Sequence, residues 1–168
     1  MPWFYLFLFL LILQRLSELW ISKRHECWLK EHGAIEFGQK HYVWIVVLMI
    51  LFFISLVFEY FFTKAHSPFY WPLLLLFIFL TQALRFWSMQ SLGKRWTTRI
   101  WILPNTPRIT QGPYRFFKHP NYLAVTLEII LIPWLFGCYF TAVIFTIFYL
   151  VWLRVRLKEE NQVLETLT

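Results

Sequence analysis

Two groups of residues in the C-terminal half have the types that handle an anion. The first is Arg115, Lys118 and His119, which run directly into Pro120, Asn121 and Tyr122 and then a long apolar segment. Proline suits the first turn of a helix, because the N–H it lacks would be unpaired there. A helix beginning at Pro120 therefore turns free N–H groups and the positive end of its dipole toward those basic residues, an arrangement that favours an anionic group. A lipid phosphate would satisfy it as well as a substrate would. The second group is Arg156 with Glu160 one turn later on the same helical face, and Glu159 beside it. Taken alone, this second group reads as the solvated end of a juxtamembrane helix.

The elements between them bring the two groups together. Residues 121–138 and 139–157 are apolar, with Pro133 and Gly137 at their junction and no long connection, so they form a helical hairpin that returns Arg156 to the side on which His119 stands. A spanning helix needs ~20 mainly apolar residues, and 2–22, 42–62 and 70–92 also qualify. The 168 residues are 59% hydrophobic and 15% charged, whereas soluble domains run near 25% charged. The expected fold is all-α: one integral membrane domain over residues 1–168 with five transmembrane helices and a catalytic core from about residue 92 onward. The run Trp3–Leu13 has no basic residues before it and no small-residue cleavage site after it, and is read as an uncleaved first span.

Charge gives the orientation. Thirteen of the sixteen Lys and Arg residues fall after the first and third spans or at the end of the fifth, which places the N-terminus outside and the C-terminus in the cytoplasm. These basic loops face anionic lipid headgroups. No basic patch stands on a polar domain, so nucleic acid is not an expected partner. Trp3, Trp20, Trp44, Trp71 and Trp134 sit near span ends, as interfacial anchors do. Cys27 and Cys138 fall on opposite sides, and neither they nor the scattered His25, His32, His41 and His66 form a metal-ligand spacing.

Polar residues inside the bilayer are costly and each needs a partner or a function. Gln14, Arg15 and Glu18 fall in the inner half of the first span, Gln82, Arg85, Ser88 and Gln90 in that of the third, and Glu128 near the start of the fourth. Helical rise puts Arg85 and Glu128 both roughly 10–12 Å below the cytoplasmic surface. They can pair, as Arg15 and Glu18 can along one helix. Two readings stand: a buried ion pair that locks helices together, or a polar cavity open to the cytoplasm that admits a polar cofactor beside a lipid-soluble substrate. The stretch from Gly93 to His119, broken by Pro104, Pro107 and Pro113, is expected to lie along the membrane surface.

GPYRFFKHPNY at residues 112–122, followed by the apolar hairpin and RLKEENQVL at 156–164, resembles the isoprenylcysteine carboxyl methyltransferase family of integral membrane enzymes. The resemblance covers the chain from about Leu92 onward. It implies an S-adenosylmethionine-dependent methyltransferase in the cell membrane, with its cofactor in a cytosolic pocket and a lipophilic substrate entering from the bilayer. His119, Pro120, Asn121 and Tyr122 match the family's cofactor-binding HPxY, and Tyr114 an aromatic residue that lines the cofactor. Thr106, Pro107, Arg108 and Ile109 match a stretch whose backbone approaches it. Glu160, with Glu159 beside it, corresponds to a cofactor-binding carboxylate, and Arg156 to the arginine that meets the substrate's reacting anion. Arg85 is a further candidate for the substrate. The chain departs from the pattern at Lys118, where Arg is usual, and at Ala124, where Gly is usual. It ends at Thr168 without the FGxxYxxY-like tail many relatives carry.

The resemblance leaves the substrate open. Many bacterial relatives have no prenylated protein to act on, and some resemble O-methyltransferases of long-chain polyketide alkylpyrones. A lipophilic enol or acid is therefore ranked before a prenylcysteine carboxylate. A non-catalytic membrane scaffold or small transporter is the alternative of a different class.

Overall fold

The computed structural model describes residues 2–64, 66–104, 106–107 and 109–167. Four helices are long and apolar enough to cross a membrane. They are α1 (Pro2–Glu31), α2 (Gln39–Phe62), α3 (Trp71–Leu92) and α5 (Tyr139–Leu167), and α4 (Pro120–Leu135) is a shorter apolar helix. Large side chains such as Leu6, Phe9, Phe62, Phe79 and Phe140 are more than half exposed, the pattern of helices that meet lipid rather than water. The chain is a multi-pass membrane protein.

Helix ends follow the sequence's punctuation. α1 runs nine residues beyond its expected apolar span and stops at Gly33, where φ is +78° and the Ala34 N–H donates to the Leu29 carbonyl at 2.9 Å. Pro72 and Pro120 stand in the first turns of α3 and α4. The α4–α5 hairpin closes through a Schellman turn: the Cys138 N–H donates to Pro133 O at 2.8 Å and the Gly137 N–H to Trp134 O at 3.1 Å. Gly137 has φ +75°, and a Cβ there would lie 2.4 Å from the His66 carbonyl oxygen, so only glycine fits. Glu59 of α2 caps the start of α5, accepting the N–H groups of Phe140 at 3.0 Å and Thr141 at 2.7 Å. A carboxylate at that helix end also meets the positive pole of the dipole.

α4 has 16 residues, about 24 Å of helix, whereas the hydrocarbon core is about 30 Å thick. Its partner α5 has 29 residues. Since both start from one tight turn, α4 ends partway along α5, and His119 and Arg156 lie almost equally far on either side of Gly137. The hairpin thus sets these two residues at one height.

The residues from Gly93 to His119 carry a short strand and two 3-10 turns. Ile100–Ile102 forms strand β2, which pairs antiparallel with β1 (Ile35–Phe37) in the register Ile35 with Ile102. Trp96, Ile100, Ile102 and Pro113 are buried. The apolar residues interleaved with basic ones in this stretch turn inward and roof the helices. Arg99 tethers the ribbon to Glu36 at 2.8 Å. 3-10 turns form at Gly93–Arg95 and Gly112–Arg115; the latter packs on α3, and Gly112, at φ +60°, sits where a Cβ would meet Ser91 Oγ at 2.1 Å.

Inside the bundle, two arginines and two glutamates neutralise one another. Arg85 of α3 donates to Glu18 of α1 through Nε at 2.8 Å and Nη2 at 2.6 Å, and to Glu128 of α4 through Nη1 at 3.2 Å. Arg15 bridges the same carboxylates, bonding Glu18 at 2.9 Å and pairing with Glu128. Gln14 and Gln82 join α1 to α3 at 2.9 Å beside them. The pairing of Arg85 with Glu128 anticipated from depth is present, and it belongs to this larger network. Removing one partner strands a buried charge. Arg85→Ala is expected to destabilise the protein by roughly 3–5 kcal/mol, read as a lowered thermal midpoint in detergent; an unchanged midpoint contradicts the network's role.

Candidate active site

The tyrosine hydroxyl of Tyr122 joins the two motifs. Tyr122 lies in the first turn of α4 and its hydroxyl donates to Glu160 Oε2 at 2.6 Å while accepting from Arg156 Nε at 2.7 Å. Glu160 Oε1 lies 3.5 Å from His119 Nδ1, and the His119 and Tyr122 rings stack with centroids 5.5 Å apart. Arg156 is 7% exposed, and its guanidinium carbon lies 5.3 Å from the Tyr122 ring and 5.2 Å from that of Trp152. Its Nη2 donates to the Thr98 carbonyl at 2.9 Å. With Nε and Nη2 occupied, the two N–H groups of Nη1 have no hydrogen-bond partner among the described residues. A cation is held rigidly with one face of donors left for a ligand.

The segment after α3 holds Arg156 in place. The Thr98 N–H donates to Ser22 Oγ at 2.9 Å, and the two hydroxyls meet at 3.0 Å. His25 Nδ1 lies 2.7 Å from the Trp96 carbonyl. α1 thereby fixes the carbonyl to which α5 donates.

These side chains line one end of a cavity of about 640 Å³, within the range of cofactor and ligand sites. Tyr114, Lys118, His119, Asn121, Arg156 and Glu160 give this end its polar character. The other walls are apolar: Ile12, Leu16 and Leu19 of α1 and Ile45, Met49 and Phe53 of α2. Arg15, Glu18 and Arg85 also reach the wall. Burial holds the Tyr114 hydroxyl well above the ordinary tyrosine range, and the Glu160 charge adds to the effect, so Tyr114 is neutral.

The structure places the expected site residues unequally. Tyr114, His119, Asn121, Tyr122, Arg156 and Glu160 converge, and Thr106, Pro107 and Ile109 line the same cavity. Arg108 lies outside the described residues. Pro120 is buried and starts α4, away from the cavity lining. Glu159 is also away from the lining; its Oε2 lies 3.0 Å from where a Cβ on Gly38 would stand. Arg85 reaches the wall with its guanidinium engaged by Glu18 and Glu128. Sequence reasoning missed Thr98 and Ser22, which carry no motif. It also missed Trp152 and Tyr149, whose spacing from Arg156 puts them on its helical face and could have drawn attention to them.

A polar cofactor fits this end of the cavity. The Asn121 Oδ1 is buried and makes no hydrogen bond in the apoprotein, an acceptor that a ligand's hydroxyl or amine would satisfy. The start of α4 adds free N–H groups, and Glu160 an anionic acceptor.

The chain is similar to known proteins. The model of the isoprenylcysteine carboxyl methyltransferase family matches residues 73–166. An uncharacterized Bacillus subtilis protein, YpbQ, is 40% identical over 162 residues, covering 96% of each chain. An uncharacterized protein of Haemophilus influenzae is 28% identical over 156 residues, covering 91% of this chain and 90% of its own. No solved structure matches. The family's enzymes are in general S-adenosylmethionine-dependent, and the matched segment runs from α3 through every residue of the Tyr122 cluster. The chain belongs to the isoprenylcysteine carboxyl methyltransferase family.

Proposed function

We propose that the protein is an S-adenosylmethionine-dependent O-methyltransferase acting on a lipophilic substrate with an acidic oxygen, a long-chain polyketide alkylpyrone enol or a carboxylate. The observation that carries this reading is the single cavity in which a polar, charge-ordered end continues into apolar walls from α1 and α2. A cytosolic cofactor and a membrane-borne chain have the chemistry to share it. The full-length relatives are bacterial, which favours a small-molecule enol. The family's own description favours a prenylcysteine carboxylate as the second reading.

Bound S-adenosylmethionine supplies an electrophilic methyl group. The chain's part is to bind and orient. His119, Asn121, Glu160 and Tyr114 would hold the cofactor, with Thr106, Pro107 and Ile109 along its side. The two N–H groups on Arg156 Nη1 would hold the anionic oxygen, in a dry site where a charge-assisted bond is strong. An acidic enol or carboxylate is already ionised near neutral pH, so the site needs no dedicated base, and placing the oxygen in line supplies much of the rate. Arg156, fixed by Tyr122 and Thr98, is suited to that positioning. Arg85, held in its ion network, would stand farther along the substrate path.

In this reading α4 counts as a fifth span, and the ends carrying Lys23, Arg24, Lys94 and Arg95 face the cytoplasm together with the polar end of the cavity. The protein resides in the cell membrane, among lipids that also deliver its substrate.

Calorimetric titration of S-adenosylhomocysteine into the detergent-purified protein tests the cofactor site. The wild type is expected to bind in the micromolar range, with His119→Ala and Glu160→Ala each weakening binding about tenfold or more. A folded wild type that does not bind contradicts the proposal. Arg156→Ala is expected to cut turnover at least about a hundredfold with cofactor affinity nearly unchanged, and an equal loss of cofactor affinity would contradict the substrate role assigned to Arg156.

A further inference from the structure

A second cavity, of about 390 Å³, is lined by Trp20, Ile21, Arg24, His25, Trp28 and Lys94, and none of these residues lines the larger one. The first five recur at i, i+1, i+4, i+5 and i+8, which is one face of α1. Lys94 arrives from the other side, on the 3-10 turn Gly93–Arg95 that follows α3. That turn is closed by the Trp96 N–H donating to the Gly93 carbonyl at 3.0 Å. Both cations rest on rings instead of carboxylates. The Arg24 guanidinium carbon stands 3.9 Å from the Trp20 ring centroid and the Lys94 Nζ 5.4 Å from that of Trp28, contacts that orient a cation through the face of the ring. Trp28 is itself stacked on His32, with centroids 4.0 Å apart. Neither Arg24 nor Lys94 has a hydrogen bond or an ion pair among the described residues, so the N–H donors of a guanidinium and an ammonium stand without acceptors. No carboxylate lines the cavity, and Glu26 beside it on α1 is engaged by Ser22 at 3.0 Å. Two positive charges share one pocket with nothing there to balance them.

We infer that this pocket binds the phosphate of an anionic phospholipid, with Arg24 and Lys94 on its oxygens and Trp20 and Ile21 against the start of its acyl chains. The place of the pocket commits it to a lipid. Trp20 and Ile21 close the apolar run of α1, and Trp20 is 56% exposed. From Trp20 to Trp28 is about 12 Å of helix, which carries the pocket from the edge of the hydrocarbon through a headgroup layer about 5–8 Å deep. A soluble phosphate would engage the two cations and leave the exposed indole and Ile21 unused. The diffuse attraction of basic loops to a charged membrane treats every exposed Lys and Arg alike, whereas this site depends on two. A phosphate held by both would tie α1 to the segment after α3. His25 makes the same tie from the wall of the pocket, with Nδ1 2.7 Å from the Trp96 carbonyl oxygen. The bound lipid therefore stabilises the packing that holds Thr98 and, through its carbonyl, Arg156.

The test uses the full chain, delipidated in a neutral detergent and heated with phosphatidylglycerol, with phosphatidylcholine or with inorganic phosphate, while native mass spectrometry counts the lipid retained. Phosphatidylglycerol is expected to stay bound and to raise the thermal midpoint by about 5 °C, and the other two to shift it by less than about 1 °C. Arg24→Gln combined with Lys94→Gln is expected to remove the shift and the retained lipid. Lys23→Gln combined with Lys158→Gln takes the same charge from exposed positions outside the pocket, and is expected to keep both. Should the first pair fold poorly, Arg24→Gln alone carries the test, with a loss of at least about half the shift expected. A shift of equal size from phosphatidylcholine or from inorganic phosphate overturns the anionic-lipid assignment, as does no shift with phosphatidylglycerol. Equal losses in the pocket variants and the control pair overturn the pocket and leave only diffuse attraction.

Discussion

The tight turn at Gly137 and Cys138 is the constraint on which the site depends. Two antiparallel helices leaving one turn must match residue for residue along their lengths, so His119 and Tyr122 at one helix start can meet only what α5 presents at that height. α5 presents Arg156 and Glu160. The turn is secured from both sides: glycine alone fits beneath the His66 carbonyl, and the Glu59 carboxylate takes the first free N–H groups of α5. A longer connection or a shifted turn would separate the motifs, and the tyrosine hydroxyl that couples them would lose its arginine or its glutamate.

A second constraint comes from the bilayer, which offers charges no solvent. Arg15, Glu18, Arg85 and Glu128 meet it by forming a neutral four-membered network across α1, α3 and α4. Its side toward the cavity gives an otherwise apolar chamber polar points along its length. The same groups that tie the helices together thus shape what the chamber accepts. At the end of the bundle that carries Arg156 the β1–β2 ribbon and the pinned carbonyl of Thr98 close over α5, so that Arg156 is ordered before any ligand arrives. Ordering of that kind lowers the cost of orienting a bound anion.

Much of this was legible in the sequence where the signals were local. Pro120 and Gly137 mark helix ends by the backbone geometry they permit, and the hairpin between them follows. The pairing of Arg85 with Glu128 could be read from depth, because a spanning helix converts residue count into distance. Glu159 beside Glu160 shows the limit of motif reading: successive helical residues point about 100° apart, and only Glu160 reaches the cavity. The ribbon was not legible, since strands of three residues far apart in the chain carry little periodic pattern. The stretch after α3 was expected on the membrane surface because its charges stood out. Within it Trp96, Ile100 and Ile102 are buried, which the interleaved charges did not reveal.

The proposed reaction brings a cytosolic methyl donor and an acidic oxygen on a membrane-borne chain into one chamber. Its most direct test is transfer of a labelled methyl group from S-adenosylmethionine to a long-chain 4-hydroxy-2-pyrone by the purified full chain in lipid, with the product's structure determined by mass spectrometry. Label is expected in an O-methyl ether of the lipophilic substrate. Label absent from every lipophilic enol and acid offered to a folded, cofactor-binding sample would contradict it.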